Sequence, residues 1–208
     1  MRGNGVTGRL WKWLWRMVTI KVMLLGNELV GKTSLIVCLT SRAFPQDSVP
    51  TVFDAVTTQI TVDQRMVTLN LWDTAPQEEH LLSIRQFYYP QTDIFIICFS
   101  IGDPGSYHDI WNDWYPEVKR HRPNVPVLLV GTKKDLRHDP STILNLLKRE
   151  LAPISYQQGA RLARKIKAVK YVECSALLCD GVLQVFEEAA RTVLHRSHRK
   201  QTRSCVLT

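Results

Sequence analysis

The chain lacks any apolar stretch near the roughly 20 residues that a helix needs to cross a bilayer. Its apolar runs, such as Ile94 to Phe99, stop after a few residues, so a membrane-spanning protein is not expected. Cysteines are few: Cys38, Cys98, Cys174, Cys179 and Cys205 are odd in number and scattered, three of them in or beside apolar strand-like runs. This argues against a disulfide framework and suits reduced thiols inside a cell. The first residues lack the apolar core of a secretory leader, because Trp11, Trp13 and Trp15 are interleaved with Lys12 and Arg16. Acids are missing from both ends, where residues 1–21 hold five Lys or Arg and residues 195–208 hold four. With +9 at the ends and +8 overall, the 173 residues between them sum to −1. A nearly neutral body argues against a DNA-binding face; the basic ends are either merely solvated or drawn to an anionic surface.

What is present is the composition of a compact domain, with 45% hydrophobic and 22% charged residues. Thr19 to Leu25 reads as a strand that stops at Gly26, and Lys32 to Thr40 reads as a helix. Thr57 to Val62 and Met66 to Trp72 alternate around Asp63-Gln64-Arg65, as an antiparallel edge hairpin does. Ile94 to Phe99 and Val127 to Val130 are continuously apolar, as strands covered on both faces tend to be. Helical stretches follow at about Ser106 to Arg120, Ser155 to Lys165 and Val182 to Leu194, with a last short strand from Lys170 to Cys174. The expected fold is α/β: a six-stranded, mostly parallel sheet with one antiparallel edge strand and helices on both faces. The expected division is a basic, Trp-containing extension (1–17), a body (18–195) and a basic tail (196–208).

Gly26-Asn-Glu-Leu-Val-Gly31-Lys32-Thr33 places glycine, four residues, then Gly-Lys-Thr at a strand-to-helix junction. Glycines there let backbone N–H groups curl toward phosphate oxygens, Lys32 reaches the outer phosphates and the Thr33 hydroxyl ligates Mg²⁺. An ordinary glycine turn is the competing reading. Asp73, at the end of a strand, is either a turn residue or the acid that a Mg²⁺ shell needs. Thr132-Lys133-Lys134-Asp135 taken alone is a polar loop after a strand.

Pro50-Thr51-Val52-Phe53-Asp54, Trp72-Asp73-Thr74-Ala75 followed by Gln77-Glu78, Thr132-Lys133-Lys134-Asp135 and Cys174-Ser175-Ala176-Leu177 follow in that order. Together with the glycine loop they resemble the Ras superfamily of small GTPases, whose fold is that of the P-loop NTPases. The Thr-Lys-x-Asp form and a further helical stretch from Asp139 to Ala152 are similar to the Rho branch and its insert. Tyr115-Pro-Glu-Val118, Glu150 to Tyr156 and the ending Cys-Val-Leu-Thr are similar to the RhoD subgroup of that branch.

The resemblance implies GTP or GDP with Mg²⁺. Gly26, Gly31, Lys32, Thr33 and Ser34 would hold the phosphates, Phe44 would pack over the guanine and ribose edge, and Thr51 would close onto Mg²⁺ and the γ-phosphate. Asp73 would reach Mg²⁺ through water. Asp135 would accept from the guanine N1 and amino group, with Lys133 along the ring and Ser175, Ala176 and Leu177 supplying the loop at its carbonyl. Guanine would be preferred because adenine leaves Asp135 unsatisfied. Gln77 would orient the attacking water, with Lys32 as the other catalytic group. Val52, Phe53, Asp54, Pro76 and Glu78 would belong to the two switches that meet effectors. Exchange factors, activating proteins and a dissociation inhibitor are the further implied partners of a monomer acting on actin organisation or vesicle traffic.

Three residues depart from the family pattern. Glu28 replaces a glycine, adding like charge near the γ-phosphate and filling space that Gln77 and an incoming arginine need. Pro76 replaces a glycine whose N–H senses that phosphate, and proline has none. Ser48 stands where a tyrosine is common. Slow or activator-resistant hydrolysis is therefore expected, with a nucleotide-bound scaffold that does not cycle as the alternative; a nucleotide kinase would leave the guanine motifs unexplained. Cys205-Val206-Leu207-Thr208 reads as a prenylation box, and Arg196, Arg199, Lys200 and Arg203 supply the second membrane signal that one lipid chain needs. The expected place is the cytoplasmic face of plasma or endosomal membranes, with a cytosolic pool. The Trp-containing extension reads as an interfacial helix, a disordered leader or a segment packed on the body.

Overall fold

The computed structural model describes residues 18–45, 54–74 and 86–204, with the side chains of 54 and 198–204 left outside the description. Six strands form one sheet in the order β2-β3-β1-β4-β5-β6. They are β1 (Val18–Leu25), β2 (Asp54–Val62), β3 (Arg65–Asp73), β4 (Ile94–Ser100), β5 (Val127–Thr132) and β6 (Tyr171–Glu173). Every neighbouring pair is parallel except β2 with β3. The antiparallel pair is the hairpin that the alternating pattern predicts, closed by Asp63 and Gln64 at φ 48° and 64°. Positive φ at both turn positions suits the right-handed twist of the strands it joins. Both carboxylate oxygens of Asp63 accept from Arg191 at 3.0 Å, which ties this edge to the last helix.

The central strand β4 is buried at every position, which its unbroken apolar run demands. Its side chains alternate between two cores. Ile94, Ile96 and Cys98 join the layer of α1 (Lys32–Ser41) and α5 (Val182–Ser204), with Leu35, Val185 and Phe186. Phe95, Ile97 and Phe99 join the opposite layer, with Trp114, Val118 and Leu162. That layer holds α2, a helical run of Pro104–Asp109, a π-helical Ile110–Trp114 and Tyr115–His121, together with α4 (Tyr156–Lys165). Ser155 and Gln158 form a reciprocal capping box at the start of α4. Truncating a fully buried apolar side chain such as Leu129 to alanine costs about 2–5 kcal/mol in such a layer.

Several boundaries differ from the expectation. The helix read from Ser106 begins at Pro104, because the Asp103 side chain accepts from Gly105 N and proline is favoured in a first turn. The helical stretch read from Asp139 to Ala152 is α3 (Pro140–Leu147), which ends sooner; the chain leaves it through a turn with Glu150 at φ 56°. The last helix runs past Leu194 to Ser204, since no proline or glycine interrupts residues 195–204. Cys98 lies in β4 and Cys174 directly after β6, while Cys38 lies on α1, within the stretch read as a helix. Among the described residues no helix is long and apolar enough to cross a membrane.

Candidate nucleotide site

The carboxyl ends of β1, β3 and β5 and the loop after β6 meet along one rim of the sheet, where parallel α/β folds place ligands. The β1–α1 loop curls through Gly26 at φ 138°, Leu29 at 56° and Gly31 at 97°. A Cβ on Gly26 would run into the Cys98 carbonyl oxygen of β4, so only glycine fits. Gly31 caps α1 without any side-chain hydrogen bond, so the orphan N–H groups of the first turn and the positive helix end face the loop. Lys32 is only 6% exposed and donates to Gly26 O and Asn27 O, both at 2.8 Å, which holds a cation at the centre of the loop. Thr33 Oγ1 donates to Asp73 Oδ2 at 2.6 Å, joining the start of α1 to the end of β3. Asp73 is 3% exposed. A hydroxyl beside a buried carboxylate is a pair of hard oxygen donors of the kind Mg²⁺ takes together with water.

On the other side of the loop, Thr132 Oγ1 lies 2.5 Å from Val30 O and 2.9 Å from Phe99 O, pinning β5 to the glycine loop. Lys133 follows at φ 52°, and its stem passes over Gly31. Burial lowers its ammonium pKa, while Asp135 and Asp103 pull the other way. Lys134 N donates to Cys174 O at 3.0 Å, so the 3₁₀ turn Lys134–His138 is fastened to the end of β6. Ser175 is fully buried and exchanges backbone hydrogen bonds with Asp180 at 2.8 and 2.9 Å; Ala176 is half-buried and Leu177 exposed. Asp135 Oδ1 is buried and has no hydrogen-bond partner among the described residues. Such an acceptor costs about 1–3 kcal/mol unless a donor arrives.

The structure thus brings Gly26, Gly31, Lys32, Thr33, Ser34, Asp73, Lys133, Asp135, Ser175 and Ala176 to one rim. Phe44 lies three residues beyond the end of α1 and is 42% exposed. Asp54 opens β2 opposite Asp73. Glu28 is on the exposed side of the loop. Thr51, Val52, Phe53, Pro76, Gln77, Glu78, Ser48 and Cys205, together with the N-terminal extension, lie outside the described residues.

Sequence reasoning missed a brace behind the loop. Asn27 Nδ2 donates to Asp109 Oδ2 at 2.5 Å and accepts at Oδ1 from Trp114 Nε1 at 2.7 Å. Both partners belong to the π-helical part of α2 or its edge, a feature often found beside functional sites. Asn27 occupies a position where the glycine-loop pattern accepts any residue, so the string carries no signal for it. Thr74 Oγ1, bonded to Leu24 O at 2.7 Å, is a second unforeseen fastening, between β3 and β1.

A mostly parallel sheet, a glycine loop feeding a helix and a hydroxyl–carboxylate pair beside it define a P-loop nucleotide-binding protein with the small GTPase fold. The model of the family described as Ras family matches residues 21–195, and the chain belongs to that family. Its class is therefore the small GTPases, molecular switches that bind GTP or GDP with Mg²⁺, hydrolyse GTP, and work with effectors, exchange factors and activating proteins. The residues present fit those ligands: the unsatisfied Asp135 oxygen suits a base with paired N–H donors, and the Thr33–Asp73 pair suits a divalent cation.

Proposed function

We propose that this chain is a Rho-type small GTPase, similar to the RhoD subgroup, attached to cytoplasmic membrane faces and slow or activator-resistant in hydrolysis. The observation that carries the nucleotide part is the convergence of Lys32, the Thr33–Asp73 pair and Asp135 on one rim. Gly26, Gly31, Lys32 and Ser34 take the phosphates, and Lys133, Asp135, Ser175, Ala176 and Leu177 take the base. Thr33, Thr51 and, through water, Asp73 would hold Mg²⁺, which would supply neutralisation of phosphate charge. Lys32 steadies the phosphoryl oxygens and Gln77 orients the water, while Glu28 and Pro76 work against the activated state. Glu28 is exposed on the loop, free to meet an incoming group. Effector contact falls to residues 44–56 and 76–90, with actin organisation or vesicle traffic as the field of action. Prenylation at Cys205 beside Arg196, Arg199, Lys200 and Arg203 supports the membrane and endosomal placement.

A single-turnover assay tests this reading: protein loaded with γ-labelled GTP and Mg²⁺ is followed for phosphate release and retained nucleotide, alone and with a Rho-type activating protein. Retained GTP and less than about tenfold acceleration are expected, against the 10³–10⁵ that an arginine finger typically supplies. Glu28→Gly together with Pro76→Gly should restore acceleration. Full acceleration of the unaltered protein sinks the slow-hydrolysis proposal. Failure to retain GTP favours the non-cycling scaffold, which the missing Pro76 N–H independently supports.

A further inference from the structure

Two thiols far apart in the chain meet beside the nucleotide site. Cys38, on α1, donates its S–H to the sulfur of Cys179, in the loop between β6 and α5, with the sulfurs 2.8 Å apart. Cys38 is 4% exposed, whereas Cys179 is open to solvent. The Cys179 sulfur also lies 3.6 Å from Ala176 O and 3.8 Å from Arg42 O, so it sits between the base-side loop and the end of α1. A disulfide needs a sulfur separation of about 2.05 Å, less than 1 Å of closure from here. The reading of the site as a nucleotide pocket uses neither thiol.

We propose that Cys38 and Cys179 are an oxidisable pair that closes into a reversible disulfide when the protein meets a hydroperoxide, clamping loop 175–181 to α1 and slowing nucleotide release. The chemistry balances without a bound cofactor. The exposed Cys179, as thiolate, attacks the hydroperoxide; the O–O bond breaks, the alkoxide or hydroxide leaves, and Cys179 becomes a sulfenic acid. The Cys38 sulfur then attacks that sulfur, the S–O bond breaks, and the Cys38 proton leaves with the oxygen as water. Two thiols lose two electrons and the hydroperoxide gains them. Access orders the steps: burial and the hydrogen bond to Cys179 push the Cys38 thiol up to about 12, so it waits as a protonated resolving group. Cys98 and Cys174 are fully buried in the sheet and out of a peroxide's reach.

The clamp acts through the pieces it joins. Cys38 rides on the helix whose first turn faces the glycine loop, and Cys179 N is bonded to Ala176 O at 3.2 Å, within the turn that Ser175 and Asp180 close. Release of a guanine base requires the 175–177 segment to move off it, and a covalent tie to α1 opposes that movement. This last step rests on the nucleotide reading above; formation of the link does not.

The test uses the full-length protein loaded with a fluorescent GDP analogue and titrated with hydrogen peroxide. Remaining thiols are blocked and the protein is digested without reduction. The expected result is a linked pair of peptides carrying Cys38 and Cys179, lighter by two hydrogens, with a higher Tm. Nucleotide release should slow by about fivefold or more, and dithiothreitol should reverse both changes. Cys179→Ser, at an exposed position, should abolish the link and the slowing; Cys38→Ala checks the same from the buried side. Sulfinic acid at Cys179 without the link, or a Cys179–Cys205 link in its place, overturns the pair. A Cys38–Cys179 link with unchanged release overturns the clamp. A protein that holds no guanine nucleotide before oxidation defeats the nucleotide reading instead, while linked peptide and Tm still decide the pair.

Discussion

Asp135 is a carboxylate kept at a cost, because one of its oxygens is buried with no donor among the described residues. Replacing it with alanine removes both the cost and the reason for it. Asp135→Ala should therefore leave Tm unchanged or slightly higher while weakening GDP binding about 10- to 100-fold, the value of hydrogen bonds to a charged group; calorimetric titration beside a thermal melt checks both. At this scale the sequence showed much. Lys32, Thr33 and Asp73 were legible because strand, glycine loop and helix leave those side chains few other places to point. Asn27 and Thr132 were less so. Their work is to hold backbone and neighbouring side chains across gaps of 87 and 102 residues, and no local pattern records a partner that distant.

Among the elements, α3 shows how a short exposed helix is held by its first turn. Asp139 accepts from Thr142 N at 2.8 Å, from Thr142 Oγ1 at 2.7 Å and from Ser141 Oγ at 2.5 Å. The Ser141 and Thr142 hydroxyls, then the Thr142 N–H, hold its carboxyl below the ordinary carboxylate range. A folded value below the unfolded one means that this cap is fully present above about pH 3.9 and is lost as pH falls through the lower folded value. The protection factor at Thr142, its exchange rate taken relative to an unstructured amide at the same pH, should accordingly hold above about pH 3.9 and fall at more acid pH, and Asp139→Ala should remove the dependence without altering nucleotide binding. The other helices were readable from the sequence pattern and α3 only from the resemblance, but their ends were set by single capping groups such as Asp103 and Ser155. The π-helical turn of α2 was invisible, since an extra residue in a helix leaves the apolar spacing nearly intact. The hairpin was legible because alternation fixes which residues face each other, but its connection is one residue shorter than the Asp63-Gln64-Arg65 read from the sequence, since Arg65 already pairs with Val62.

For the whole molecule, the sheet buries thiols between its layers. Burial pushes Cys98 up to about 12 and raises Cys174 as well. A thiol raised in the folded state stabilises the fold fully below its unfolded value, and the benefit is lost as pH climbs from there through the folded one. Above about pH 8.5 each such thiol should lower stability by about 1.4 kcal/mol per pH unit, so the pair should give about 3. Denaturant unfolding at pH 8, 9 and 10 measures the slope, to which the raised Cys38 thiol also adds, and Cys98→Ala should reduce it by about 1.4 kcal/mol per pH unit. Strand character alone marks the hairpin as an edge and β4 and β5 as central strands, whereas the length of α5 is not legible. Leu194 is its last buried side chain among those described, yet the helix goes on for ten more residues, about 15 Å, to Ser204. Anything joined to the following residue is thus carried on a cantilever and not on a slack tether. A load applied there would be felt as torque at Arg191, where the helix grips Asp63 and with it the outer hairpin.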